Sequence, residues 1–227
     1  MNRELIVNLA YMVPLALGIF IYYLRKHRKD KALLTVDHHS KVNSDGEEFL
    51  NKLDLLQYFE FTPSDKLDIL KSEVKKCYEN YGEIGTLESD GQPVCHRLYG
   101  ADEESLFEEG GILDQLNVLK HSFEKRNLRF HINDHYEYYE ENIGNQWVVI
   151  NNRKYVIYEE LEGSKSDWSY ATDKLIDLLN KELHLQGSNE KFYRINGGND
   201  AKLIFIRPEL YEFLSKSALN EQWKPRI

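Results

Sequence analysis

The pattern of apolar and polar positions divides the chain into one uninterrupted apolar run and a longer part in which apolar residues recur at intervals. The run extends from Leu5 to Leu24, and its only ionisable side chains are tyrosines. A helix of that length spans about 30 Å, which matches the hydrocarbon core of a bilayer. We therefore predict a single N-terminal transmembrane helix at residues 5–24, within a membrane anchor at residues 1–31 that includes a basic flank.

Two other interpretations of this run are open. A cleaved signal peptide needs a shorter apolar core, a basic segment before it and a cleavage site made of small residues. In this chain the basic cluster follows the run, and no such site is visible after Leu24. A buried core helix of a soluble domain is disfavoured because nothing amphipathic interrupts the stretch. The pattern favours the membrane anchor.

The charges that flank the run predict its orientation. Arg3 and the terminal amino group precede it, and the basic residues that follow it are Arg25, Lys26, Arg28, Lys29 and Lys31. Lys and Arg are in excess on the cytoplasmic side of membrane helices. We therefore expect a single-pass protein of the cell membrane, in contact with the lipid bilayer through residues 5–24, with its C-terminal domain in the cytoplasm.

After a polar linker at residues 32–46, two segments have apolar residues at the three- to four-residue spacing of a helix. The first covers Glu47–Glu60. The second starts at Thr62–Pro63, with Thr as the cap and Pro in the first turn, and ends at Gly82. We predict a helical hairpin neck at residues 47–82. A short coiled-coil seam between two chains would give the same spacing, although fewer than three heptads is a weak signal.

The pattern becomes a mixture of strand and helix periods from residue 93, which predicts an α+β domain at residues 93–227. Strands are predicted at 94–99, 128–139, 147–150, 155–158, 191–195 and 202–206, with helices between and after them. The pair Asn151-Asn152, between two apolar runs, predicts a tight hairpin. The order of elements resembles a split βαβ arrangement with extra hairpins. We predict an antiparallel or mixed sheet with helices packed on one face.

The segment 128–139 alternates between apolar and polar residues, as in a half-buried strand. The alternation assigns Tyr136 and Tyr138 to one face, together with Phe130 and Ile132. The other face, which we expect to be solvated, contains Arg129, His131, Asn133, His135, Glu137 and Tyr139. Many of the 15 tyrosines of the chain fall in strand patterns and are expected in the core and at its rim. A sheet face rich in exposed Tyr would also form a good protein-binding surface.

Charge limits the choice of partner. The chain has a net charge of −9, and because residues 1–31 carry +4, residues 32–227 carry −13. An acidic domain is repelled by phosphate backbones, so we expect no nucleic acid partner. An acidic surface suits a basic protein, although solubility alone also explains it. The two cysteines, Cys77 and Cys95, fit a reducing compartment and could pair only if the fold brings them together.

The most conspicuous polar cluster is the loop Asn196, Gly197, Gly198, Asn199 and Asp200. Glycine loops that hold phosphate lead into a helix, whose amides bind the anion. Here an apolar strand follows, and Asn and Gly supply the positive φ angles of a hairpin turn. We keep the loop as a weak candidate for ligand binding and favour the hairpin.

The strand at 128–139 offers a candidate metal site, which we weigh against a solvated sheet face. His131 and His135 share one predicted face, and alternate strand residues about 7 Å apart can bind one ion. The same face contains Arg129, and no further strong ligand is identifiable elsewhere in the sequence. We therefore expect a solvated sheet face and predict no metal or other cofactor.

The sequence contains none of the familiar catalytic or nucleotide-binding motifs, and we recognise no family in it. Our leading hypothesis is a membrane-tethered cytoplasmic module that binds another protein. The partner would be a component of a membrane complex or a basic toxin that the module neutralises. The alternative is a small membrane-attached enzyme that works at the His131 and His135 face or at the 196–200 loop. Whether the chain is an enzyme stays open, with binding favoured.

Overall fold

The computed structural model describes residues 45–140, 143–162, 168–197 and 200–226. The predicted anchor at residues 5–24 therefore lies outside the described residues. No helix in the described ranges is both long enough and apolar enough to cross a bilayer. The described residues belong to one compact unit, Lys41–Ile227.

Helices and short strands alternate along the described chain. The helices are α1 Gly46–Leu55, α2 Ser64–Tyr81, α3 Glu103–Phe107, α4 Gly111–Glu124, α5 Trp168–Leu185, α6 Pro208–Lys216 and a 3-10 helix at Glu221–Trp223. The strands are β1 Glu88–Ser89, β2 Gln92–Pro93, β3 Leu98–Gly100, β4 Ile132–Glu140, β5 Ile143–Ile150, β6 Arg153–Glu162, β7 Lys191–Ile195 and β8 Lys202–Ile206. The prediction of an α+β protein is confirmed.

The main strands form two separate antiparallel sheets. One has the strand order β3–β8–β7 and the other β4–β5–β6, while β1 and β2 form a two-stranded ribbon. Every pairing among the described strands is antiparallel. The prediction of one antiparallel or mixed sheet is therefore corrected to two antiparallel sheets. The sequence pattern cannot reveal this, because β3 pairs with β8, about a hundred residues further along the chain.

The two sheets and the helices alternate in four layers. One hydrophobic core contains the apolar residues of α4 and α5 together with Val148 of β5 and Phe205 of β8. A second core contains the apolar residues of α1, α2 and α6 together with Ile204 of β8. Because neighbouring residues of β8 point to opposite faces, the β3–β8–β7 sheet separates the two cores. Helices thus cover both faces of that sheet, whereas we predicted helices on one face only.

The two N-terminal helices pack on each other: α2 is close to its predicted position, whereas α1 ends at Leu55 instead of the predicted Glu60. The rings of Phe49 and Tyr78 stack with their centroids 3.9 Å apart, and Lys71 Nζ lies 2.8 Å from Asp54 Oδ2. Helix α2 ends at Gly82, whose φ of 63° is left-handed, as predicted. Both helices bury their apolar residues in the second core, together with Ile204 of β8. They are therefore part of the packed domain.

A β-bulge in β4 reverses the predicted faces of this strand. Ile132 pairs with Ile150 of β5, whereas Asp134 pairs with the adjacent Val149, so that Asn133 is an extra residue. Beyond the bulge the alternation is shifted by one position. The predicted assignment of Tyr136 and Tyr138 to the same face as Phe130 and Ile132 is therefore wrong. These tyrosines are exposed, by 43% and 44% respectively.

Candidate functional site

The sheet β4–β5–β6 has one face on helices α4 and α5 and an opposite face that neither described core includes. On this outer face Tyr136 pairs with Trp147, and Trp147 pairs with Val156, so that the three form a row across the strands. The rings of Tyr136 and Trp147 stack with their centroids 5.6 Å apart. Val156 is 50% exposed. The row is a continuous aromatic and apolar strip on the surface.

A second row lies next to the first and contains one acidic and one basic residue. Asp134 pairs with Val149, and Val149 pairs with Lys154. The Lys154 ammonium lies 4.3 Å from the centroid of the Trp147 ring, which is a cation–π contact. Asp134 Oδ1 accepts a hydrogen bond from the backbone N–H of His135 at 2.9 Å. We refer to the surface formed by these two rows as the outer aromatic face: Asp134, Tyr136, Trp147, Val149, Lys154 and Val156.

The inner face of β4 contains a polar cluster that holds the α3–α4 connection. The carboxylate of Glu137 accepts the Gly110 backbone N–H at 2.8 Å and an amide N–H of Gln146. His135 Nε2 lies 3.4 Å from the same carboxylate. Because the Glu137 side chain is almost buried, these contacts satisfy a group that would otherwise be costly to bury. The cluster fixes the position of helix α4 on the sheet.

The two candidate metal ligands are not brought together. His131 is exposed, and its backbone N–H donates to Asn151 Oδ1 at 3.0 Å. His135 lies beyond the bulge on the opposite face, next to Glu137. Among the described residues, no group of three or more His, Cys, Asp or Glu side chains could hold a metal ion.

The structure places one end of the 196–200 loop in an acidic cleft. The cleft has a volume of about 440 Å³ and is lined by Asp102, Glu108, Glu109, Asp114, Asp200 and Lys202, among others. Asn196 has a left-handed φ of 57°, and its N–H donates to the Gln222 carbonyl at 2.6 Å. Gly197 follows Asn196 outside any helix or strand, while Gly198 and Asn199 lie outside the described residues. Of the described loop residues, only Asp200 lines the cleft.

A buried ion cluster, which the sequence pattern did not reveal, joins distant parts of the chain. Arg97 is fully buried, and its Nη1 donates to Glu190 Oε1 at 2.5 Å. Arg126 donates to the same carboxylate, and Glu60 accepts from Arg97 and from Arg207. Burial raises the pKa of Glu190, but the two neighbouring guanidinium groups outweigh it and hold that pKa below its usual value. The Glu190 carboxylate is therefore charged at neutral pH.

The two cysteines are free thiols without the environment of a nucleophile. Burial, with Glu73 beside it, raises the pKa of Cys77 to about 11. Burial also raises the pKa of Cys95, which is fully buried. Reactive cysteines have a lowered pKa. Neither thiol therefore supports a catalytic role.

Neither a protein-family model nor a curated protein nor a solved structure matches this chain. The Glu137 carboxylate and the Arg97 guanidinium bind internal partners and serve the fold. The outer aromatic face is built from side chains that belong to neither described core.

Proposed function

We propose that this chain is a single-pass membrane protein whose cytoplasmic domain binds another protein through the outer aromatic face. The observation that carries the proposal is the row Tyr136, Trp147 and Val156. Burying one large apolar side chain contributes about 1.5–3 kcal/mol, and aromatic residues are enriched in the centres of protein interfaces. Isolated apolar residues are common on protein surfaces, whereas a row across three strands exposes a continuous patch.

The charge of this face helps to choose between the two types of partner. Asp134 and Lys154 cancel formally, so the face is neutral in a chain with a net charge of −9. A neutraliser of a basic toxin would present its acidic side chains at the interface. A neutral face with an aromatic centre fits a component of a membrane complex better. The predicted anchor at residues 5–24 supports the same choice because it would hold the domain beside other membrane proteins.

The proposal can be tested by photo-crosslinking the full chain in intact membranes. A photoreactive amino acid would replace Val156 in one variant and Leu185 in a control. The two positions are 50% and 52% exposed, so their reactivity toward random collisions is matched. We expect a discrete protein adduct from position 156 and only background from position 185, which lies at the end of α5. Equal labelling at both positions, or none at either, would contradict the proposal.

The chemistry of the face can be tested in the same assay. Trp147→Ala removes the central ring of the row and should reduce the adduct from position 156 by at least tenfold, as expected for an interface centre. Exposed Tyr170 lies on α5, and Tyr170→Ala should leave the adduct unchanged. An adduct that survives Trp147→Ala would show that the row does not make the contact.

A further inference from the structure

We infer that the partner of the outer aromatic face is a second copy of this chain, related by a two-fold axis that runs parallel to β5 between the two facing sheets. This inference rests on the proposed function and specifies its partner. The order of residues in the two rows, the charge of the face and its size all fit a second copy.

The row with the two charges is complementary to itself. Its order across the sheet is Asp134 on β4, Val149 on β5 and Lys154 on β6. A half-turn about an axis along β5 exchanges the β4 side with the β6 side and keeps each residue at its height along the strands. Asp134 of one copy then faces Lys154 of the other, and the same contact forms twice. Interfaces of two-fold dimers have this reciprocal form.

The aromatic row is matched by the same operation. Tyr136 lies on β4 and Val156 on β6, so each Tyr136 ring would cover Val156 of the other copy. Trp147 lies on the central strand, and the two Trp147 rings would meet at the axis. An axis perpendicular to the strands would instead place β4 on β4 and β6 on β6, so that no Asp134 meets a Lys154. The charges therefore select one of the two face-to-face arrangements.

Electrostatics limits the surfaces through which two copies can meet. Residues 32–227 carry a net charge of −13, so two copies repel each other over most of their surface. The outer aromatic face is formally neutral and carries its two charges in a self-complementary order. Two copies can meet there without placing like charges together.

The size of the face predicts the strength of the association. Strands are about 4.8 Å apart and rise about 3.4 Å per residue, so this face buries only a few hundred Å² per copy. A standard stable interface buries about 800 Å² per partner. Association in solution should therefore be weak. Confinement of both copies to one membrane raises their effective concentration, which makes a small interface sufficient.

The test uses the full chain in lipid vesicles, with Cys77 replaced by Ser and the buried Cys95 retained. Val149→Cys places a thiol on the central strand, where the two copies meet at the axis. Ile69→Cys, at an exposed position of α2, is the control. We expect a short bis-maleimide reagent to produce a covalent dimer from Val149→Cys at least tenfold more efficiently than from Ile69→Cys. Equal yields would overturn the inference.

A charge exchange tests the predicted axis. Asp134→Lys alone and Lys154→Asp alone each place like charges together twice and should reduce the Val149→Cys dimer about fivefold or more. The double variant Asp134→Lys with Lys154→Asp restores opposite charges and should return the yield to within about twofold of the parent. A double variant no better than the single variants would overturn this arrangement. Thermal melts of each variant confirm that the domain is folded.

The outcomes also separate this inference from the proposed function. A crosslink from position 156 to a different protein, together with only background dimer from Val149→Cys, would overturn self-association and leave the binding function in place. An absence of adduct at position 156 together with background dimer at position 149 would overturn both. A position 156 adduct of twice the chain's mass, together with the charge-exchange pattern, supports both.

Discussion

Arg97 and Glu190 lie 93 positions apart in the sequence and form an ion pair of 2.5 Å between Nη1 and Oε1 in the interior of the domain. Arg97 also donates to the backbone carbonyls of Gln57 and Phe205, at 3.3 Å and 3.1 Å. The α1–α2 connection, strand β8 and the residue before β7 therefore meet at one side chain. Buried charges of this kind are costly to leave without their partner.

Glu190→Gln should lower the free energy of unfolding by about 3–5 kcal/mol at pH 7, because it leaves Arg97 and Arg126 without their shared carboxylate. Glu212→Gln removes an exposed carboxylate paired with Lys216 and should leave the free energy of unfolding almost unchanged. Denaturant unfolding of both variants measures the difference. Similar losses in the two variants would contradict a stabilising role for the cluster.

The Glu190 effect should also depend on pH. The pKa of this carboxyl is lowered in the folded protein, so its stabilisation is present above the unfolded pKa of about 4.3. The stabilisation is lost as pH falls through the folded pKa. The difference between the parent and Glu190→Gln should therefore shrink below about pH 4. A difference that stays constant down to pH 2.5 would contradict the assignment.

His96 should make the domain less stable in mild acid. Its burial, with Lys125, His121 and Arg126 nearby, lowers its pKa to about 4. Between pH 6.5 and pH 4 the unfolded chain binds a proton that the folded chain does not bind, so the free energy of unfolding falls as pH decreases. Because the ring is only half-buried and solvent screens its charge, we expect the free energy of unfolding to fall by about 1–2 kcal/mol over this range.

His96→Asn should remove this part of the pH dependence. Position 96 has a left-handed φ of 49°, which Asn accepts more readily than most residues. The measurement is the free energy of unfolding from pH 7 to pH 4 for the parent, for His96→Asn and for the exposed-site control His184→Asn. Parallel curves for the parent and His96→Asn would be the contrary result.

Deletion of Asn133 should disrupt the domain, because it removes the extra residue of the β4 bulge. Tyr136 and Tyr138 would then turn toward helices α4 and α5, and the carboxylate of Glu137 would turn away from Gly110. Asn133→Ala keeps the bulge and loses only the bond from the Asn152 N–H, which is 2.8 Å long. We expect this substitution to cost about 1 kcal/mol and the deletion to abolish cooperative thermal unfolding. Two similarly stable variants would contradict the importance of the register.

The proposed orientation in the membrane gives a separate prediction. A phosphatase that is active only outside the cytoplasm should be inactive when fused after Ile227, and a reporter that needs the cytoplasm should be active there. Deletion of residues 5–24 should release the chain from the membrane fraction. The opposite pair of reporter activities would reverse the orientation, and a deletion that stays with the membrane would contradict the anchor.

The local elements of this fold were readable from the sequence, whereas the register and the long-range pairings were not. The apolar spacing in α1 and α2 and the pair Asn151-Asn152, with φ angles of 49° and 63°, depend on neighbouring residues only. The helix α3 was missed: it has only five residues, and Asp102 caps it by accepting the N–H groups of Glu104 and Ser105. A helix that short has no periodicity to detect.

The candidate surface was only partly predictable for a related reason. The alternation in β4 correctly indicated a strand, but one extra residue at Asn133 exchanged its two faces. The pattern therefore concealed which face carries Tyr136 and Tyr138. The buried position of Arg97 was equally hidden, because its partners Glu60 and Glu190 lie far away in the sequence. Pairing at such distances depends on the whole fold.

The position of β8 between the two cores has a consequence for biosynthesis. The ribosome completes α1, α2 and β3 more than 90 residues before it completes β8 at Ile206. Until then, β3 lacks its partner strand and the apolar faces of α1 and α2 lack the sheet that covers them. Non-local pairings of this kind slow folding and expose apolar surface to aggregation. Folding of this domain must therefore wait until the ribosome has made β8.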